Sequence, residues 1–239
     1  TQVDKALTYS DGNLRAFTAS FSPDSRWMAY SRDLDNQNDA IFLYDTRTKT
    51  RTQVTSGYYN DRSPSFDPDG KYLYFLSGRT LTPAYSDIDN TWVYPNTTNL
   101  VAVPLRRDVV SPVAPRNDEE PVAADKTKAG AAKVDSTQRK AKETLAAAAP
   151  APKPVPNVEI DLADFERRAV LLPPAAGNFG SLQAVSGKVL YARRPRTGSS
   201  DSTNTIVYYD LNDREEKTVL ADVRAFDVSA DGKKLLVLK

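Results

Sequence analysis

A turn followed by a short apolar strand occurs four times in this chain, and its spacing constrains the fold more than any other feature. FSPDSRWMAYS (21–31) returns as SFDPDGKYLYFLS (65–77), in worn form as LQAVSGKVLYARR (182–194), and again as DVSADGKKLLVLK (227–239). Aligned on the turn residues Ser25, Gly70, Gly187 and Gly232, the copies lie 45, 117 and 45 residues apart. Two equal steps and one enlarged step describe a repeat array with an insertion. Proline at the second turn position has its φ preset, and the aspartate after it accepts local backbone N–H bonds. Asp24, Asp69 and Asp231 are therefore read as structural caps, not as paired catalytic carboxylates.

The rest of the chain repeats the same grammar. Residues 1–17 hold two weak strands, KALTY and NLRAF, around Asp11-Gly12-Asn13. After the first turn-strand come the polar loop RDLDNQNDA, the strand IFLYD (41–45), the tight connection TRTKT and the strand RTQVT. The second unit runs through KYLYFLS and a long loop (78–98), carrying Tyr85, Trp92 and Tyr94, into NLVAVPL (99–105). Between 106 and 157 seven prolines bracket an Ala/Lys/Glu tract without one aromatic residue, too little apolar surface to offset the entropy of ordering. Only 136–149, with Ser136 or Thr137 as cap, has the composition of a short helix. The segment 158–173, VEIDLADFERRAVLLP, reads as a strand, turn, strand half-unit resembling 41–55. The expected division is thus repeat units over 1–105, an insertion over 106–157, and repeat units over 158–239. The core-like strand that ends at Lys239 is expected to continue into a longer protein.

A unit of about 45 residues with four short strands is the size of one β-propeller blade, whose apolar faces are buried against neighbouring blades. The fold class is all-β, with about four blades of four-stranded antiparallel sheets forming an arc of a larger ring. Composition limits the chemistry. Lys plus Arg (32) nearly cancels Asp plus Glu (31), so neither a nucleic-acid nor a membrane partner is expected, and no apolar run approaches the roughly 20 residues of a membrane span. The chain has no Cys and no His, which removes thiolate sites, Cys nucleophiles and Ser-His triads. No cofactor or metal is expected: RDLDNQNDA lacks the glycine and the glutamate of a calcium loop, and GSSDS around Ser199 and Ser200 lacks a nucleophile elbow. Four arginines that follow inner strands, Arg79, Arg193, Arg194 and Arg196, are the candidates for lining a channel that meets peptide carboxylates. Tyr30, Tyr44, Tyr72, Tyr74, Tyr191 and Tyr208 fall on strands and are assigned to packing between blades.

SPDSRWMAYS and DPDGKYLYFLS resemble the WD40-like PD40 repeats of TolB, prolyl-oligopeptidase-type propellers and tricorn proteases. The second half, from VEIDLADFERRAVLLPPAAGNFGSLQAVSGKVLYARR to IVYYDLNDREEKTVLADVRAFDVSADGKKLLVLK, is similar to the last blades of the seven-bladed propeller of tricorn-type serine peptidases. The likeness covers most of the chain outside 106–157. It implies a non-catalytic propeller part of a serine protease, a hydrolase whose catalytic domains lie elsewhere in the protein. That part gates or filters unfolded peptide substrates, and the parent is a homo-oligomer. The chain alone is expected to be inactive, in a periplasmic or secreted protein or, alternatively, a cytoplasmic one. The alternative function is a TolB-like protein-binding scaffold in the periplasm; a prolyl-oligopeptidase-type cap would require an α/β-hydrolase domain after Lys239.

Overall fold

The computed structural model describes residues 19–81, 83–85, 92–116 and 155–239. The strand pair expected over 1–17 and the helix expected over 136–149 lie outside them. Contacts separate a unit comprising 1–114 and 155–239 from a second, 115–154, of which Pro115 and Arg116 are described.

The first sheet is the four-stranded antiparallel meander β1 (Ala19–Phe21), β2 (Trp27–Asp33), β3 (Asp39–Asp45) and β4 (Thr50–Gln53). The second starts with β5 (Asp61–Phe66) and β6 (Tyr72–Ser77). The chain then makes a separate two-residue ladder from β7 (Ala84–Tyr85) and β8 (Trp92–Val93), and returns with β9 (Asn99–Pro104) and β10 (Val170–Leu171) to give the order β10-β9-β6-β5. The third sheet is β11 (Asn178–Val185), β12 (Lys188–Arg194), β13 (Asn204–Asp210) and β14 (Glu215–Val223). A two-stranded sheet, β15 (Ala225–Val228) and β16 (Leu235–Leu238), follows. The described residues thus contain three complete blades and the inner half of a fourth.

The middle strands of the second and third blades are mostly apolar because each faces a neighbouring blade on both sides. In β3, Ile41 and Leu43 join Phe66, Leu73, Phe75, Val101 and Val103 of the second blade, whereas Phe42 and Tyr44 lie in a separate cluster with Tyr30. The alternate residues of the second blade, Tyr74, Leu76, Leu100 and Ala102, bury against Phe179, Val189, Tyr191, Val207 and Tyr209 of the third. Ala192 and Ile206 continue the series onto Phe226. Alternation along each strand therefore apportions one side chain to each blade interface. Tyr74 and Tyr191 pack between the second and third blades as expected, with half-buried Tyr72 against the same cluster. Among the described residues Tyr30 and Tyr44 cluster only with first-blade side chains, Tyr208 is half-buried, and the buried tyrosine of β13 is Tyr209.

All four aligned turn residues are left-handed: Ser25 (φ 58°), Gly70 (φ 69°), Gly187 (φ 73°) and Gly232 (φ 69°). In the first and fourth copies the whole turn is superimposable in its bonding. Ser22 and Ser229 donate their N–H to the carbonyls of Trp27 and Lys234, and Asp24 and Asp231 accept from the Arg26 and Lys233 amides at 3.1 Å and from the Ser22 and Ser229 hydroxyls at 2.6 Å. Asp24 and Asp231 are caps, as the repetition implied, but Asp69 is not. In the second copy Asp67, at the place of Ser22, accepts from the Asp69 and Lys71 amides (both 3.2 Å), and Asp69 accepts from the Ser186 hydroxyl of the third blade (2.8 Å). The worn third copy differs: Val185 pairs directly with Lys188, so Ser186-Gly187 is a two-residue hairpin loop with no room for the Pro-Asp device.

The insertion enters where a second turn is missing its cap. In the first and third blades Asp45 and Asp210 close the link between third and fourth strands. Asp45 Oδ1 accepts from the Arg47 and Thr48 amides, and Asp210 Oδ1 from Asn212 and Asp213. Pro104 opposes Tyr72 in the second blade as Asp45 opposes Trp27 in the first, and a proline offers neither carboxylate nor N–H. The chain leaves there and re-enters for β10. The expected strand, turn, strand over 158–173 is corrected: no strand forms before the 3-10 turn Glu166–Arg168, and β10 has two residues. Val158 and Phe165 are instead buried between the first and second blades. The Trp27 indole donates to the Val158 carbonyl (3.2 Å), and Arg168 donates to the carbonyls of Pro104 (3.1 Å) and Ala163 (2.9 Å), satisfying backbone that no ladder satisfies.

Candidate functional site

The inner strands β1, β5 and β11 stand side by side, each at the edge of its own sheet, with one row of backbone groups not used by that sheet. A repeated bond fixes their spacing. The Phe66 N–H donates to Ser20 Oγ (3.0 Å), the Ala184 N–H to Ser65 Oγ (2.9 Å) and the Val228 N–H to Gln183 Oε1 (3.0 Å). Each inner strand thus holds the next through one polar side chain at the same register.

Two of these strands carry a bulge at matching positions. The β5–β6 register shifts between Arg62 and Ser65, with Ser63 at φ 54°, and the β11–β12 register shifts between Gly180 and Gln183, with Ser181 at φ 52°. A bulge leaves an extra residue unpaired and re-aims its neighbours. Here the bulges border an open groove of about 900 Å³, lined by Ser20, Arg62, Ser63, Ser181, Gln183 and Arg194 over Phe66, Phe179 and Phe226. Gly180 leaves room at this surface for the Arg194 side chain. A Cβ there would meet the Arg194 guanidinium at 2.6 Å, so glycine lets that group lie against the strand. A smaller cavity of about 390 Å³ adjoins the starts of β5 and β11, lined by Asn60, Arg62, Tyr94, Asn96, Thr98 and Asn178. Arg62 lines both and reaches Thr98 Oγ1 (3.4 Å).

The four arginines singled out from the sequence are not gathered in one place. Arg79 is consumed by a buried cluster: its Nε donates to Ser77 Oγ (2.9 Å), and its guanidinium pairs with Glu166 (3.1 Å) and lies 3.6 Å from Asp61 while covering the Tyr59 ring. Asp61 has no solvent exposure. Burial raises its pKa, and the opposing pull of the Ser77 hydroxyl and Arg79 leaves it above the usual carboxylate range. Arg193 makes two 2.7 Å bonds to Glu216, which also accepts from the Tyr191 hydroxyl, and it lies over the Phe179 ring. Burial would lower its pKa, and the Glu216 contacts outweigh that and raise it. Arg194 is exposed in the groove, and Arg196 sits in the exposed loop that follows β12. Arg62, which the sequence reading passed over, is the second groove arginine. Its signal was an Arg-Ser-Pro-Ser run breaking strand alternation at the place where Gly-Ser-Leu-Gln breaks it in the third blade.

Two other sequence motifs resolve into local structure. Asn36 and Asn38 of RDLDNQNDA both donate side-chain amides to the Gly57 carbonyl, at 2.9 and 3.0 Å, tying that loop to the start of the second blade. Ser199 donates to Asp201 Oδ2 (2.8 Å) within its own exposed loop.

Residues 6–239 match the family model described as the tricorn protease second beta propeller domain. The chain is 27% identical over 227 residues to tricorn protease homolog 1 of Streptomyces coelicolor and 28% identical over 231 residues to the tricorn protease of Thermoplasma volcanium, in each case over 91% of its own length. It spans only about a fifth of those relatives, 20% and 19%. Among solved structures, 92% of the chain superposes on 20% of the tricorn protease crystal structure with a TM-score of 0.65 at 21% identity. The same share superposes on 51% of a TolB from Agrobacterium tumefaciens with a TM-score of 0.50 at 13% identity, a likeness of fold alone. Three four-stranded blades in sequence and a family model matching nearly the whole chain lead to one assignment: this chain belongs to the tricorn protease second beta propeller domain family.

Proposed function

We propose that this chain is the non-catalytic propeller part of a tricorn-type serine protease and that it admits unfolded peptides toward catalytic domains carried by the rest of the protein. The observation that carries this reading is the groove along the inner strands. It is open, about 900 Å³ in volume, and walled by strands that each form the edge of a sheet, a geometry that suits an extended chain. Family membership supports the protease context, and the chain's share of about a fifth of its relatives supports catalysis elsewhere. The groove supplies width and hydrogen-bonding edges, which filter by shape and extension; it offers no His for a serine triad. We place the protein in the periplasm or outside the cell, which cell fractionation decides.

The test compares long and short substrates on the whole protein. Ala19 is exposed at the groove, and Ala19→Trp narrows it without entering the core. The expected result is a fall of about tenfold in kcat/KM for an unfolded ten-residue peptide, about 1.4 kcal/mol, with hydrolysis of a tripeptide amide unchanged. Equal effects on both substrates, or hydrolysis by the isolated 239-residue chain, would sink the reading.

A further inference from the structure

We infer that the inner-strand groove selects peptides by charge, holding acidic segments through Arg62 and Arg194 and disfavouring basic ones. This rests on the reading of the groove as a peptide path and names the class of peptide it takes. Among the described residues, neither the groove nor the adjoining cavity is lined by a single Asp or Glu, although Asp and Glu number 31 in the chain. Arg62 and Arg194 are the cations of the lining, and neither forms an ion pair with a described carboxylate, in contrast to Arg79 and Arg193. Asp39 feels the Arg62 charge from a distance without pairing with it. Arg62 uses one guanidinium donor on Thr98 Oγ1 (3.4 Å), and neither groove arginine is neutralised by a described carboxylate, so both can offer N–H donors to a ligand carboxylate.

The surrounding groups fit a peptide more closely than another polyanion. Ser63 and Ser181, both left-handed, sit where the bulges detach the inner strands from their ladders, and β1, β5 and β11 present edge backbone along the groove. Edge strands pair with extended peptide backbone, and the arginines then read side chains or a terminal carboxylate. Phe66, Phe179 and Phe226 form the floor and exclude water on one side, which strengthens the charge contacts above them. The three phenylalanines are buried and so present little ring face for a base to stack on, and with a net charge of +1 no chain-wide positive field favours nucleic acid.

The experiment is fluorescence anisotropy on the complete 239-residue chain with two labelled ten-residue peptides that differ only in three Glu against three Lys. At low salt the Glu peptide is expected to bind about tenfold tighter, about 1.4 kcal/mol, with the preference shrinking as salt screens it. Arg62→Gln/Arg194→Gln is expected to bring the two peptides within about twofold, whereas Arg196→Gln, outside the groove, leaves the preference intact. Circular dichroism melting of each variant verifies that it is folded; should the double variant unfold, the single variants, each halving the preference, replace it. Equal binding of the two peptides by the unaltered chain overturns charge selection and leaves the peptide path standing. Failure of both peptides to bind overturns the path itself. A single-stranded oligonucleotide that displaces the Glu peptide at equal concentration also overturns the inference, since the surface would then be a general polyanion site.

Discussion

Asp210 shows what one residue contributes to this fold. Its carboxylate receives Lys188 Nζ (2.7 Å) and the amides of Asn212 and Asp213 (2.9 and 3.2 Å), and those bonds hold its pKa down to about 2 against an ordinary value of 3.8. A carboxylate whose pKa is lowered on folding stabilises the native state fully above its unfolded value and loses that share as pH falls through the folded one. The stabilisation from Asp210 is therefore complete above about pH 4 and fades toward pH 2. Lys188 is 42% exposed, so the pair is partly screened and Asp210→Asn should cost about 1 kcal/mol at neutral pH. Urea midpoints measured at neutral pH and near pH 2 should differ less in Asp210→Asn than in the parent chain; an unchanged difference would refute the assignment. Asp61 and Asp67 work in the opposite sense. Burial raises both, so they favour the protonated native state, and only the variant comparison isolates Asp210. The same residue scale sets what the sequence could disclose. Gly70, Gly187 and Gly232 were legible because a left-handed turn position favours glycine, and Ser25 because it occupies the same place in the repeat. Arg62 was hidden because its role depends on a bulge, and a bulge displaces the alternation from which a strand's faces are read.

At the scale of elements, the second blade separates what periodicity discloses from what packing decides. β6 and β9 followed the repeat, forming where it places their apolar runs. The return segment did not. Ile160, Leu162 and Phe165 imitate a strand pattern, but among the described residues 155–169 pair with no strand, and Val158 and Phe165 turn inward between two blades. Which side wins is a long-range matter: Trp27 Nε1 and Asp24 Oδ2, 131 and 134 residues away, both bind the Val158 backbone. This segment should therefore behave as core and not as linker. Phe165 is 2% exposed, and Phe165→Ala should destabilise the chain by about 3–5 kcal/mol through the cavity it leaves. Leu162, 37% exposed three residues earlier, should cost no more than about 0.5 kcal/mol when truncated. Chemical denaturation of the two variants checks the pair, and equal losses would mean that the segment is only loosely laid on the blades.

The described blades form a row in which each contacts its immediate neighbours, and the stability of that row is accordingly a sum of blade terms and interface terms. Every interface among the described blades has two layers. Apolar side chains alternate onto it from both sheets, and near the axis one polar side chain accepts the N–H of the next inner strand. The apolar layer is the larger in energy, but it is non-directional and tolerates sliding. The polar bond fixes register, and register determines the shape of the groove, because Ser20, Ser65 and Gln183 stand on its wall. Ser65→Ala tests that division of labour. It removes the Ser65 acceptor of the half-buried Ala184 N–H, which lines the open groove and can turn to water, so the cost should be about 0.5–1.5 kcal/mol. The apolar contacts between the second and third blades should remain. Hydrogen exchange should then quicken at Ala184 and along β11 while the Leu43 amide in the first blade keeps its protection, since the coupling is to neighbours only. Uniform loss of protection through all three blades would instead mean that the row unfolds as one unit, and that the axial bonds serve overall stability and not the spacing of the inner strands.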